Sequence, residues 1–395
     1  MSKFFYPLID NPYRKKDINK AIEVLKSFKI TSGIKTINFQ NSFKKKFRLN
    51  NALMVNSGSS ANLLALQCLI NPYRKKRLKR GDEILIPSLC WSTSLWPIIQ
   101  SGLKPKFVDI EKTTLNIDLA DLKSKITKKT KGILIVHVLG NSTNMNELMK
   151  IKKKHSLYLI EDTCESLGTK FRNKYLGSFG EFSSFSFYSS HQISSGEGGM
   201  ICCKNQEDFE ILKALRAHGW SRGLKNEQKI SKQNKHLDKK FIFYNSGFNL
   251  RSTDIAASIG LSQFKDLDKF IKIRNLNRKK IINEFNKSKV RDKITIIKEN
   301  DGIKASWFGI PMVLSKKINK KLFIKKIEKK GVETRPIISG NFLRQPSIKK
   351  YNLNTNSKMK NADYINNYGF FIGLPTKLIS SLVVKKLIKV FEQSA

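Results

Sequence analysis

Short apolar runs separated by helix-length stretches constrain this chain more than any other feature. "NALMV" (51–55) leads into "SSANLLALQCLI" (59–70), and "DEILIP" (82–87) into "WSTSLWPIIQSG" (91–102). "PKFVDI" (105–110), "GILIVHV" (132–138) and "LYLIED" (157–162) continue the series. Strands that are apolar at nearly every position are covered on both faces. Helices on either side of a parallel sheet give that cover. The pattern predicts an α/β fold with a mostly parallel central sheet. In such a sheet, ligands bind outside the carboxyl ends of the strands.

The pattern changes near residue 225. "GLKNEQKISKQNKHLDKK" (223–240) reads as a polar, lysine-rich loop. "STDIAASIGLSQFKDLDKFIKIRNLNRKKIINEF" (252–285) has a Ser or Thr cap and apolar residues every three to four positions, which predicts one long helix. The stretches "ITIIKE" (294–299), "ASWFGIPMVL" (305–314) and "VETRPII" (332–338), a helix over 317–330 and a last helix near 378–392 make a smaller α+β unit. The expected division is a large α/β unit over 1–250, with a helical N-terminal segment, and a small α+β unit over 251–395.

The 395 residues suffice for a large core, and 40% hydrophobic with 10% aromatic residues describe a folded chain. No apolar run approaches the ~20 residues of a membrane helix. The opening "MSKFFYPLIDNPYRKK" has an apolar patch too short and interrupted for a secretory signal. A cytoplasmic protein without membrane contact is expected. Five cysteines, with no C-x-x-C pair, argue against a disulfide framework or a metal site. The net charge of +44 would suit nucleic acid. However, lysine is spread along nearly every segment beside abundant Ile, Asn and Phe, four residues with codons rich in A and T. No nucleic-acid-binding motif is present. Genome bias accounts better for the charge, whose field would still draw in an anionic substrate.

Four stretches carry chemistry. "NSGSSAN" (56–62) follows a strand and opens a helix. Its glycine, Gly58, permits close backbone approach, and Ser59 with the free N–H groups of the helix start can hold a phosphate. An ordinary serine N-cap would read the same way. "IPSLCWSTSLWP" (86–97) puts Trp91 just beyond a strand, where it either stacks on a flat heterocycle or packs in the core. "LIEDTCESLG" (159–168) ends a buried strand on two acids. Asp162 there needs a cationic partner, which a pyridinium nitrogen would supply, and Glu165 faces the same region. The alternative is an N-cap for the next segment. "FSFYSSHQISSGEGGM" (185–200) reads as strand, tight polar turn and strand, with Ser186 able to donate to a phosphate and His191 five residues later.

Together, "SGSSAN", "EDTCESLG", "GSFGEFSSFSFYSSHQISSGEGGM", "LRAHGW" and "GFNLRSTDIAASIG" resemble, in this order and over nearly the whole chain, the DegT/DnrJ/EryC1/StrS family of sugar aminotransferases. That family has the aspartate-aminotransferase fold, fold type I of the pyridoxal-phosphate enzymes. The resemblance implies pyridoxal or pyridoxamine 5′-phosphate as cofactor and a homodimer with shared active sites. It implies that Asp162 pairs with the pyridine nitrogen, that Trp91 stacks on the ring, and that Glu165 lies at the cofactor. Gly58, Ser59 and Ser186 are implied to bind the phosphate, and Asn249 of "GFNLR" to reach the phosphate of the neighbouring subunit.

The sequence departs from the family at His191, where the aminotransferases carry the lysine that holds the cofactor covalently. Histidine forms no lasting imine. It is a general base near neutral pH, with an ordinary pKa of ~6.5. This exchange, with "TRPIISGNFLRQP" (334–346) and "SWFGIP" (306–311), resembles one branch of the family, the 3-dehydratases of nucleotide-linked 4-keto-6-deoxy sugars used in dideoxysugar synthesis. One type in that branch carries an iron–sulfur cluster on four cysteines downstream of the histidine. This chain has no cysteine after Cys203, which implies the type without a cluster. The resemblance further implies L-glutamate as amino donor, a non-covalently held cofactor, His191 as the base, and sugar contacts from His218 and Arg335. Three readings remain to be separated: the 3-dehydratase, an ordinary nucleotide-sugar aminotransferase using another base, and an inactive homologue that only binds. The residues do not set the nucleotide, GDP or CDP.

Overall fold

The structure is a computed structural model that describes residues 4–9, 11–353 and 357–395. The apolar runs all enter one sheet. Its strands are β1 (Asn51–Val55), β2 (Glu83–Pro87), β3 (Lys104–Val108), β4 (Thr130–Val136), β5 (Tyr158–Asp162), β6 (Phe182–Ser186) and β7 (Gly199–Cys203). They lie in the order β1-β7-β6-β5-β4-β2-β3. Strands β2 to β6 run parallel, and β7 is antiparallel to both of its neighbours. The predicted mostly parallel α/β sheet is therefore present. Helices α1 (Lys15–Lys26) and α2 (Ile34–Phe47) precede it. Helices α3 (Gly58–Leu69), α4 (Ser92–Gln100) and α5 (Met145–Lys154) connect β1 to β2, β2 to β3 and β4 to β5. This order brings the helix starts to the carboxyl ends of the strands.

Strand alternation sorts the chemistry of "FSSFSF" (182–187). Phe185 and Phe187 enter an aromatic cluster with Phe39, Phe43, Phe47 and Phe264, so Ser184 and Ser186 project to the opposite face. Helix α6 (Gln206–Arg216) follows β7, and α7 (Asp254–Phe264) packs against α1 and α2 around that cluster. Asp254 caps α2 by accepting from the N–H groups of Gly33 (2.8 Å), Lys35 (3.0 Å) and Thr36 (2.9 Å).

The helix predicted over 252–285 is two helices, α7 and α8 (Leu267–Phe285), parted at Lys265 and Asp266. Asp266 there takes ion pairs from Arg14 and Lys16, both at 2.6 Å, so the turn is tied to the start of α1. The lysine-rich loop holds a short helix, Glu227–Gln233. Strands β8 (Ile294–Ile296), β9 (Gly309–Leu314) and β10 (Gly369–Gly373) form a second, antiparallel sheet in the order β8-β9-β10. Helices α9 (Lys320–Lys329) and α10 (Ser381–Glu392) pack on it through Phe323, which meets the rings of Phe370 and Phe391. The stretch 332–338 is not a strand, because Val332 and Arg335 make only isolated bridges, to Tyr6 and Phe371. The third strand comes instead from "GFFIG", 369–373. No helix among the described residues is long and apolar enough to cross a membrane.

Candidate active site

Asp162 closes β5 and is almost wholly buried. Its Oδ2 accepts from Asn62 Nδ2 of α3 and Ser94 Oγ of α4, both at 2.7 Å, and its Oδ1 accepts from the Cys164 N–H at 3.2 Å. All three donors are neutral. They orient the carboxylate without cancelling its charge, so the expected cationic partner is not a side chain among the described residues.

The start of α3 lies against the end of β6. A Cβ on Gly58 would stand 2.6 Å from Cys164 Sγ and 2.7 Å from Ser186 Cβ, so a larger residue would push the helix away. Gly199, opposite Ser186 across the β6–β7 ladder, gives the same clearance, since a Cβ there would stand 2.4 Å from the Ser57 carbonyl carbon. Ser57 is the N-cap, its Oγ accepting from the Ser60 N–H at 3.1 Å. The cap is therefore Ser57, which leaves Gly58 and Ser59 outside the capping role. The N–H groups of Gly58 and Ser59 have no partner among the described residues, and Ser59 Oγ meets Thr93 Oγ1 of α4 at 2.7 Å. Ser186 Oγ accepts from the Tyr188 N–H at 3.3 Å. Trp91, at the N-terminal end of α4, is 57% exposed, which excludes the packed-core reading of its indole.

Glu165 lies beside Asp162. Its Oε2 accepts from the Leu139 N–H at 2.9 Å, and burial raises its pKa to about 7 against that hydrogen bond. His191 lies in the loop between β6 and β7, with its ring between those of Tyr188 and Phe308 at centroid distances of 5.9 and 5.6 Å. Burial lowers its pKa to about 4, with the Asp162 charge opposing. Its Nδ1 is buried and has no hydrogen-bond partner among the described residues. A neutral imidazole with an uncommitted nitrogen is a base. Gln192 fixes the turn by donating to the carbonyls of Glu165 (2.6 Å) and Ser306 (2.9 Å).

The structure thus gathers Gly58, Ser59, Trp91, Asp162, Glu165, Ser186 and His191 at or just beyond the carboxyl ends of β1, β2, β5 and β6. It does not bring the other three candidates there. Asn249 and His218 share a surface cluster with Arg251, whose Nε donates to Asn249 Oδ1 at 3.1 Å and whose Nη2 lies 3.2 Å from His218 Nε2. Arg335 pairs with Glu333 at 2.9 Å. Phe371 and Phe308 stand between it and His191. Sequence reasoning missed Asn62, Thr93, Ser94 and Gln192. Asn62 alone had a visible signal, as a buried amide one turn into a largely apolar helix.

These residues fit pyridoxal 5′-phosphate. The start of α3 offers N–H groups to a phosphate, Trp91 offers an open ring face, and Asp162 offers an oriented carboxylate to a ring nitrogen. Among the described residues, no group of three or more His, Cys, Asp or Glu could hold a metal ion.

The chain belongs to the DegT/DnrJ/EryC1/StrS aminotransferase family, whose profile matches residues 12–385. Among curated relatives, it is 37% identical over 373 residues to GDP-4-keto-6-deoxy-D-mannose 3-dehydratase of Escherichia coli O55:H7 (strain CB9615 / EPEC), covering 93% of this chain and 95% of that one. The solved structure of the E. coli GDP-4-keto-6-deoxy-D-mannose-3-dehydratase with bound hydrated PLP matches at TM-score 0.91 and 35% identity, over 98% of this chain and 99% of that one. A GDP-4-keto-6-deoxymannose-3-dehydratase with a trapped PLP–glutamate geminal diamine matches at TM-score 0.90 and 35% identity, over 98% and 100%. The fold is that of the pyridoxal-phosphate sugar aminotransferases.

Proposed function

We propose that this chain is a pyridoxamine-phosphate-dependent 3-dehydratase of a GDP-linked 4-keto-6-deoxy sugar, with L-glutamate as amino donor. The observation that carries the reading is His191, a neutral imidazole with a free Nδ1, standing beside the Asp162 cradle at the position of the family lysine. The names of the relatives supply the substrate class and the glutamate.

When bound, the cofactor supplies an amine for the C4 ketone and a ring that takes up the electron pair left at its C4′ carbon. Asp162, fixed by Asn62, Ser94 and the Cys164 N–H, keeps the ring nitrogen protonated. The α3 start with Ser186 anchors the phosphate and Trp91 covers a ring face, so the cofactor stays without a covalent tether. His191 takes the C4′ proton and delivers a proton to the C3 hydroxyl. The C3–O bond breaks with its electron pair, and water leaves. Hydrolysis that frees the nitrogen as ammonia takes up the water lost at C3, so in total sugar and glutamate give a 3-deoxy ketosugar, 2-oxoglutarate and ammonia, and glutamate provides the two electrons.

The test is mass spectrometry of products from GDP- and CDP-linked 4-keto-6-deoxy sugars with pyridoxal phosphate and glutamate. A 3-deoxy ketosugar with ammonia is expected. An aminosugar would instead show an ordinary aminotransferase, and no conversion of any sugar would overturn the reading.

We infer further that two copies share their sites. Asn249, His218 and Arg251 form a cluster beside exposed Phe243 and Phe241. Ile18, Ile22, Leu25, Phe28 and Ile34 of the N-terminal segment are exposed apolar residues as well. A second copy would cover this apolar area and receive Asn249 at its phosphate. An active species at the monomer mass of 45.3 kDa in light scattering would refute this. The lack of cysteines after Cys203 supports an enzyme without an iron–sulfur cluster, and the five cysteines support a cytoplasmic site of action. The separate sheet β8-β9-β10 supports a small unit over 251–395 beside the large unit over 1–250.

A further inference from the structure

Arg274, in the middle of α8, is buried without a carboxylate partner among the described residues. A buried cation with no counter-charge is costly, and burial draws this guanidinium down to a pKa of about 10. Its hydrogen bonds all go to main-chain carbonyls. Nη2 donates to His191 O (3.2 Å), Nη1 to Gln192 O (2.8 Å) and Nε to Leu374 O (3.1 Å). Leu374 directly follows β10, so one planar fork joins the peptide of the base to the end of the second sheet.

We propose that Arg274 is the positioning residue for the catalytic base: by gripping the consecutive carbonyls of His191 and Gln192, it holds the imidazole toward the C4′ carbon of the cofactor. This rests on the reading of His191 as the base. The other side of the same turn is held by Gln192, which donates to Glu165 O and Ser306 O, so the backbone around His191 is fixed toward both sheets. The ring itself is wedged between Tyr188 and Phe308. The groups facing it are Asp162 from β5, the Ser186 backbone at the end of β6, Arg274 from α8, Tyr188 from its own loop and apolar Phe308. Burial lowers the proton affinity of His191 most; Asp162 raises it, and the charge of Arg274 lowers it again. Arg274 therefore acts on the base twice, through geometry and through charge.

The two actions separate in Arg274→Met and Arg274→Lys, made in the full chain loaded with pyridoxamine phosphate. Histidine-labelled protein gives five imidazole signals, and the His191→Asn variant identifies that of His191. Arg274→Met should raise the His191 titration midpoint. It should also lower kcat at least ~10-fold with little change in the sugar KM, as a misplaced catalytic group does. Arg274→Lys keeps the charge but cannot span three carbonyls. Its midpoint should stay near wild type while kcat falls. If Arg274→Met does not fold, Arg274→Lys decides alone. A wild-type midpoint and kcat in Arg274→Met, or a wild-type kcat in Arg274→Lys, would overturn the proposal. The titration needs no sugar, so an enzyme that dehydrates none of the sugars would overturn the functional reading while Arg274 is still judged on the midpoint.

Discussion

Strand β5 ends on two acids that face opposite sides of the sheet and live in opposite chemistry. Glu161 is fully buried among partners that use both of its oxygens: His137 Nε2 (3.1 Å) and the N–H groups of Gly177 (2.8 Å), Phe179 (2.7 Å) and Gly180 (2.7 Å). Burial alone would raise its pKa, but His137 and these N–H groups hold it below the ordinary glutamate value. Asp162 is held by three neutral donors and by no ion pair among the described residues. The first carboxylate is committed to pinning the turn at 177–180 to the sheet. The second is oriented but uncompensated, and so is available to a cationic ring. Burial alone does not distinguish the two acids; Glu161 has two donors on each oxygen, whereas Asp162 Oδ1 has only the Cys164 N–H among the described residues.

The largest effect expected from breaking this contrast is on stability. Glu161→Gln turns an amide toward backbone N–H donors and removes the partner of His137, so it should cost about 3–5 kcal/mol in urea unfolding. Activity per folded molecule should change little. The sign with pH also follows. Because the folded-state pKa of Glu161 is depressed, its contribution is present above the ordinary value of ~4.3 and fades as pH falls through the folded value. The variant should lose that part of the acid sensitivity.

Asp162→Asn should do the reverse. Melting should shift little, while turnover falls about 10²–10³-fold and the cofactor washes out on dialysis, as loss of a preorganised electrostatic partner predicts. Equal stability losses in the two variants would erase the distinction between the acids. The smallest effect concerns Glu165. Its folded pKa is raised to about 7, so the stability it contributes is full below its ordinary value of ~4.3 and is lost as pH rises toward 7. Glu165→Gln should flatten unfolding free energy across that window, and an unchanged pH profile would show that Glu165 is ionised there.

Much of this was legible in the sequence because it is local. The buried strands, the Gly–Ser helix start and the acid pair each occupy a few consecutive residues, and each obeys a short-range rule. What was not legible comes from elements far apart in the chain. Ser94 and Asn62 reach Asp162 from two different helices, and neither is unusual where it stands. Arg274 was hidden by composition. Among 75 Lys and Arg residues, one arginine in "IKIRNLNRKK" carries no signal until its carbonyl partners are seen. The small unit was legible only in outline: 332–338 supplies isolated bridges, and the third strand comes from "GFFIG", a stretch bounded by glycines. Asn249 and His218 were placed by resemblance alone. The role proposed for that cluster toward a second copy leaves no trace within one chain.

The central claim is that His191 moves the C4′ proton. The direct measurement is exchange of the C4′ hydrogen of bound pyridoxamine phosphate with solvent deuterium, in the presence of the GDP-linked keto sugar, for wild type and for His191→Asn. Asparagine keeps polar contacts but cannot accept the proton, so wild type should exchange the hydrogen and the variant should fall behind by ~10²–10⁴-fold while still binding cofactor. Exchange and dehydration at near wild-type rates in His191→Asn would contradict the account, even with the family assignment intact.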